Sequence, residues 1–185
     1  MAVILPNSVF YHIPKTGGGW IREVFRNACL VHKQFGEVHA TPLTAPVPEG
    51  RFSFTFVRHP CSLLQSYWVY CMLGGWPKEI DNFQEFMWRS LEVNPGRVSR
   101  VYRYFVGENQ DQVDFIGRQE SLTEDLIVAL HLAGEDFEEE YVRDVPLINT
   151  GACMLEWAYE CRYTPELRRA VVESEKWAME KFGYE

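Results

Sequence analysis

One stretch constrains this chain more than any other: Ser8 to Cys29, SVFYHIPKTGGGWIREVFRNAC. Its opening residues Val9, Phe10, Tyr11 and Ile13 are β-branched or aromatic and favour a buried, pleated strand. Pro14 stops the ladder, and Lys15-Thr16-Gly17-Gly18-Gly19 leads into Trp20, Val24, Phe25, Ala28 and Cys29 at helical spacing. A strand, a glycine turn with one lysine, and a helix together make an anion cradle. Glycine lets backbone N–H groups approach a ligand, and the helix start adds unsatisfied donors and the positive end of a dipole. The order departs from GxxxxGK[ST], because Lys15 precedes the glycines; its amine lies beside a phosphate chain rather than capping it from the helix. The plain alternative is a tight turn with a surface lysine.

Phe52 to Val57 and Val113 to Arg118 read as two further strands, each followed by a helix. Helices are expected over 61–73, from Asn82, over Gly96 to Val106, from Ser121 to Gly134, and from Thr164-Pro165-Glu166 to Phe182. Asn82-Phe-Gln-Glu85 and Ser121-Leu-Thr-Glu124 both have the form of a capping box. Three alternations of strand and helix predict an α/β fold: one domain over 1–185, with a mainly parallel central sheet flanked by helices. Ligands of such sheets sit beyond the carboxyl ends of the strands. Lys15, Arg58 and Arg118 each fall just past a predicted strand, so the three can converge there.

The formal charge is −8, which excludes general nucleic-acid binding and requires any nucleotide to be held by a local basic pocket. The acidic run Glu135-Asp136-Phe137-Glu138-Glu139-Glu140 reads as a solvated face. Five cysteines with no CxxC read as reduced thiols, not as a disulfide frame or zinc site. MAVILPNSVF lacks the basic region of a signal peptide, and no apolar run reaches the roughly 18 residues of a membrane span. A cytoplasmic chain with no membrane partner is expected.

Arg58 and Ser66 stand eight residues apart, one at a strand end and one in the second turn of the next helix. A guanidinium and a hydroxyl so placed can grip a second phosphate. Taken alone, they are as well explained by a salt bridge and a hydroxyl bonded to its own helix. YHIPKTGGGW (11–20) and FVRHPCSLLQSYW (56–68) together resemble the 5′-phosphosulfate loop and 3′-phosphate motif of sulfotransferases that use 3′-phosphoadenosine 5′-phosphosulfate (PAPS). FIGRQESLTEDL (115–126) and TPELRRAVVESEKWAMEKFGY (164–184) are weaker echoes. The HIPKTGG form is closest to the carbohydrate branch, with its heparan-type enzymes. The resemblance implies a P-loop-like nucleotide-binding fold, PAPS as donor and PAP as product, and no obligatory metal. It also implies that Lys15, Thr16, Gly17, Gly18, Gly19 and Trp20 hold the 5′-phosphosulfate and that Arg58 and Ser66 hold the 3′-phosphate. Arg118 then assists near the 3′-phosphate or adenine. The acceptor is expected to be a hydroxyl on a carbohydrate or small alcohol.

A sulfuryl group in transfer carries less charge than a phosphoryl group, so positioning and charge stabilisation at the leaving oxygen dominate, and Lys15 suits that role. The acceptor hydroxyl needs a general base. His39 is the choice, because the carbohydrate branch resembled here carries a catalytic histidine in the interval between the phosphate motifs. Glu37 is the rival, and His12 and His59 remain open as bases or loop-orienting groups, with His131 structural. Trp20, Trp68, Tyr70 and Trp76 are either core or stacking surfaces, and Trp68 and Tyr70 cannot share one helical face. Two other readings remain: a nucleotide-dependent kinase using the same cradle, and a catalytically silent nucleotide- or sulfate-binding module.

Overall fold

The computed structural model describes residues 2–28, 30, 33–35, 39–46, 48, 50–74, 80, 82–148 and 161–185. It comprises two compact units, one formed by residues up to Arg58 with Tyr102–Ile148, the other by His59–Val101 with Asn149–Glu185. Among the described residues no helix is long and apolar enough to cross a membrane.

The first unit holds a five-stranded sheet of β1 (Ala2–Ile4), β2 (Ser8–Tyr11), β3 (Lys33–Phe35), β4 (Phe52–Val57) and β5 (Phe115–Arg118). The strand order is β3-β1-β2-β4-β5. β2, β4 and β5 are mutually parallel, with Tyr11 opposite Thr55 and Val57 opposite Arg118. β1 runs antiparallel to both β2 and β3, so the α/β sheet is mixed and the expectation of a mainly parallel sheet is corrected. The reason is local. Only Leu5, Pro6 and Asn7 separate β1 from β2. A link that short joins antiparallel strands, whereas a parallel crossover needs a dozen or more residues.

All four residues of β2 and the last five of β4 are buried, as aromatic and β-branched runs require. Helix α1 (Gly18–Asn27) buries Trp20, Ile21, Val24 and Phe25. Phe25 meets Phe10 and Phe54 edge-on, at ring separations of 5.8 and 6.4 Å. Fully burying each such side chain contributes about 1.5–3 kcal/mol. On alternate positions of the sheet, the Tyr11 hydroxyl donates to the Ala45 carbonyl at 2.5 Å, and burial pushes its pKa up to about 12.

The second half of this unit supports β5. A 3₁₀ turn (Gln119–Ser121) precedes a helix over Leu122–Leu132, and Ser121 makes no side-chain cap bond, so that capping box does not form. The helix closes near the expected glycine. Gly134 (φ 66°) and Glu135 donate to the His131 and Leu130 carbonyls, each at 3.0 Å, the paired bonds of a Schellman end. Glu135 departs from the expectation of a wholly solvated acidic run. It is buried and accepts from the Asn7 amide at 3.0 Å and the Ser8 hydroxyl at 2.5 Å, tying the helix end to the start of β2. The rest of the run leads into a short helix over Glu139–Asp144, which presents Val142 to the core.

In the second unit, α2 (Pro60–Leu73) starts at the proline with His59 as N-cap, and α3 (Phe83–Val93) is capped by Asn82 accepting from Glu85. α4 spans Arg97–Val106, and its residues from Tyr102 onward belong to the first unit. The expected final helix divides into one over Pro165–Ser174 and one over Lys176–Phe182. The break is at Glu175, whose buried carboxylate accepts from the Val98 amide (3.0 Å), the Ser99 amide (2.7 Å) and the Ser99 hydroxyl (2.7 Å). That caps the amides that α4 leaves open at its start. Trp68 is buried against Phe83 while Tyr70 is exposed, as their spacing requires.

Candidate functional site

The site is built in the first unit, where the parallel strands β2, β4 and β5 finish at one edge of the sheet. Beyond β2 the chain turns through Pro14 and Lys15. Lys15 adopts φ 69° and Gly17 φ 92°, with Thr16 between them at ordinary φ. Positive φ at two nearby positions bends the chain sharply between the strand and the helix. For glycine this is free. For lysine it costs roughly 1–2 kcal/mol. A non-glycine residue held this way marks a position fixed by its surroundings. Thr16 supplies part of that constraint, since its buried hydroxyl donates to the Ile13 carbonyl at 2.8 Å.

Gly17 is the N-cap of α1 and offers no side-chain cap. The first intrahelical bond seen from this end is Ile21 N–H to the Gly17 carbonyl, at 3.2 Å. The amides of Gly18, Gly19 and Trp20 therefore lie in the turn that a helix cannot satisfy from within. Gly18 has a second reason to be glycine. A Cβ there would lie 2.6 Å from Cγ of the His12 ring and closer still to Cδ2 and Nε2. At Gly17 a Cβ would meet the Leu122 side chain at 2.6 Å. Trp20 takes a different part from the one expected of a ligand-facing side chain. It is 3 % exposed and its indole N–H donates to the Val145 carbonyl at 3.1 Å, so its side chain belongs to the core.

Arg58 follows β4, one strand over. Its backbone is gripped twice by the buried Tyr102: the hydroxyl accepts from Arg58 N–H at 2.9 Å and donates to the Arg58 carbonyl at 2.5 Å. Its guanidinium Nη1 donates to the Lys15 carbonyl at 3.2 Å. The Arg58 side chain thus reaches the backbone of the loop that carries Lys15. Arg118 closes β5 with its side chain exposed, and its amide donates to the Asp125 carboxylate at 2.6 Å. Arg22, unremarked in sequence, is a further cation here: its Nε donates to the Gly18 carbonyl at 3.1 Å, and its charge acts on His12.

Two histidines stand beside the loop. His12 has its pKa pulled down to about 3, first by burial and then by neighbouring positive charges, Arg22 foremost and Lys15 among them. It is neutral at any physiological pH. His39 is exposed, its ring 6.4 Å from that of His12, and burial holds its pKa below the ordinary value. It too is neutral near pH 7 and can accept a proton. Glu37, His32 and Trp76 lie outside the described residues. His59 is occupied in the second unit, where Nδ1 accepts from the Cys61 amide at 3.1 Å and Nε2 lies 3.1 Å from the Glu185 carbonyl. Ser66 also belongs to the second unit, half-buried on α2. His131 is exposed and pairs with Glu139 at 2.9 Å.

Sequence reasoning missed Arg22 and Tyr102. Arg22 had a signal, since it lies four residues after Gly18 and so one helical turn along the same face. Tyr102 had none, because its bonds to Arg58 span 44 residues. Comparison with protein-family models, with curated proteins and with solved structures found no match to this chain.

Proposed function

We propose that the chain is a PAPS-dependent sulfotransferase of P-loop-like fold, moving a sulfuryl group from PAPS to a hydroxyl on a carbohydrate or small alcohol. The observation that carries this reading is the 3.2 Å bond from the Arg58 guanidinium to the Lys15 carbonyl, beside the uncapped start of α1. It brings one guanidinium to the backbone of the loop that leads into those open helix amides, an arrangement that suits a ligand with more than one anionic group.

The chain's residues divide the work as follows. The amides from Thr16 to Trp20 receive the 5′-phosphosulfate, with Gly17 supplying the left-handed conformation at the helix start. The Lys15 amine offsets the negative charge that gathers on the leaving phosphate oxygen, a contribution worth about 10²–10³ in rate for a well-placed donor. Arg58 takes the 3′-phosphate, a planar fork of donors matched to phosphate oxygens, and Arg118 lies at the adjoining strand end. His39 accepts the proton of the acceptor hydroxyl, a step worth about 10²–10⁴. The acceptor oxygen then forms its bond to sulfur as the bridging bond to the phosphate oxygen breaks, and PAP leaves. The buried Cys61 and Cys71 carry free thiols, which fits the reducing setting expected of a cytoplasmic chain.

The test is an acceptor panel with radiolabelled PAPS, run after PAP binding has been established by thermal shift. Transfer of label to a hydroxyl acceptor, abolished in Lys15→Ala and reduced in His39→Ala with PAP binding intact, is expected. Stabilisation by ATP with Mg²⁺ and not by PAP assigns the cradle to a kinase instead. PAP binding with no transfer to any acceptor assigns it to a binding module.

A further inference from the structure

We infer that Tyr102 is the positioning residue that makes this site select nucleotides bearing a 3′-phosphate. The inference rests on the assignment of Arg58 to that phosphate. Arg58 is the first residue after β4, where strand pairing no longer fixes the backbone. Beyond a strand end, the direction in which a long side chain leaves depends on one peptide's orientation. Tyr102 sets that orientation from both sides, since one hydroxyl accepts from the Arg58 N–H and donates to its C=O. A phenol has one proton to donate and lone pairs to accept with, so these two bonds use it as donor and acceptor together. The tyrosine itself is 0 % exposed, held within α4 rather than on a loop. Its hydroxyl is therefore a fixed point, and Arg58 is hung from it.

From there the constraint passes outward. The Arg58 guanidinium donates to the carbonyl of Lys15, the residue held at φ 69° at the mouth of the cradle. A guanidinium displaced by about 1 Å loses the bidentate fit to phosphate that separates arginine from a simple point charge. The hydroxyl thus acts on the ligand only through Arg58. A role in packing alone would weaken every nucleotide alike. A role in aiming Arg58 weakens only those with the group that Arg58 grips.

The experiment compares PAP with adenosine 5′-phosphate, which lacks the 3′-phosphate, by calorimetric titration of the full chain. Wild type, Tyr102→Phe, Arg58→Ala and the double variant are used, with circular dichroism and melting curves as folding controls. The expected result is a preference for PAP in the wild type that falls at least tenfold in Tyr102→Phe, while the affinity for adenosine 5′-phosphate stays within twofold. Arg58→Ala should add no further loss of preference in the Tyr102→Phe background. Equal losses for both nucleotides, or no loss for either, overturn the role of Tyr102 and leave the nucleotide site standing. Wild type that binds neither nucleotide overturns the sulfotransferase reading and this inference with it.

Discussion

Replacing Gly18 with alanine probes the tightest packing in the cradle. A methyl group there falls 2.6 Å from Cγ of His12, with two other ring atoms closer. Ordinary carbon contacts are about 3.5–4.0 Å, so the ring has to move or the helix start has to shift. Overpacking of this kind costs about 1–3 kcal/mol. Against it stands the helix-forming advantage of alanine over glycine, at most about 1 kcal/mol and smaller at a helix end. The overlap wins, with a net loss of up to about 3 kcal/mol, or up to about 12 °C in melting temperature for a protein of this size. The same substitution in a His12→Ala background meets no ring, and its sign should reverse to neutral or stabilising. Urea denaturation of the four proteins of this cycle gives a coupling of about 1–3 kcal/mol if the ring is the obstacle. Additive effects, within about 0.5 kcal/mol, would refute the reasoning.

Further expectations follow from the same geometry. His12 has a folded pKa of about 3, against about 6.5 when unfolded, so below pH 6.5 the unfolded chain takes up a proton that the folded chain refuses. Stability is therefore complete above pH 6.5 and falls as pH drops toward 3, by about 2 kcal/mol between pH 7 and pH 5; denaturation at the two pH values should show this slope, and His12→Asn should remove that part of it. Lys15→Ala keeps the left-handed strain at φ 69° and Lys15→Gly relieves it, so the glycine variant should be at least as stable while both lack turnover with PAPS. An active Lys15→Gly protein would show that the amine is dispensable. Glu135→Ala leaves the Asn7 amide and Ser8 hydroxyl without their acceptor and should cost about 1–3 kcal/mol in urea, yet leave PAP affinity unchanged.

How much of this was legible beforehand depends on the range over which each feature is determined. Phe52–Val57 is a strand with the bounds its aromatic and β-branched residues suggest, and Asn82 and Thr164 cap the helices they were expected to start. Those features are settled within about four residues of chain. β1 was missed because three residues carry no periodicity, and with it went the antiparallel half of the sheet. The Ser121 capping box has the right letters but makes no cap bond, since a 3₁₀ turn occupies its place. Glu135 and Glu175 look like surface acids in any short window. Their burial is decided by Ser8 and Ser99, 127 and 76 residues away. The candidate site shows the same division. Its loop glycines and strand-end cations could be read from spacing, whereas the Tyr102 anchor and the His12 ring over Gly18 exist only once the chain is folded.

The central claim, that Lys15 and Arg58 serve one doubly phosphorylated adenine nucleotide, is tested most directly by calorimetric titration of the wild-type chain with PAP, and with ATP and Mg²⁺ as the rival. One-site binding of PAP, tighter than that of ATP with Mg²⁺ and lost in Arg58→Ala, is the predicted result. No heat with PAP alongside clear binding of ATP and Mg²⁺, or PAP binding indifferent to Arg58, would contradict it.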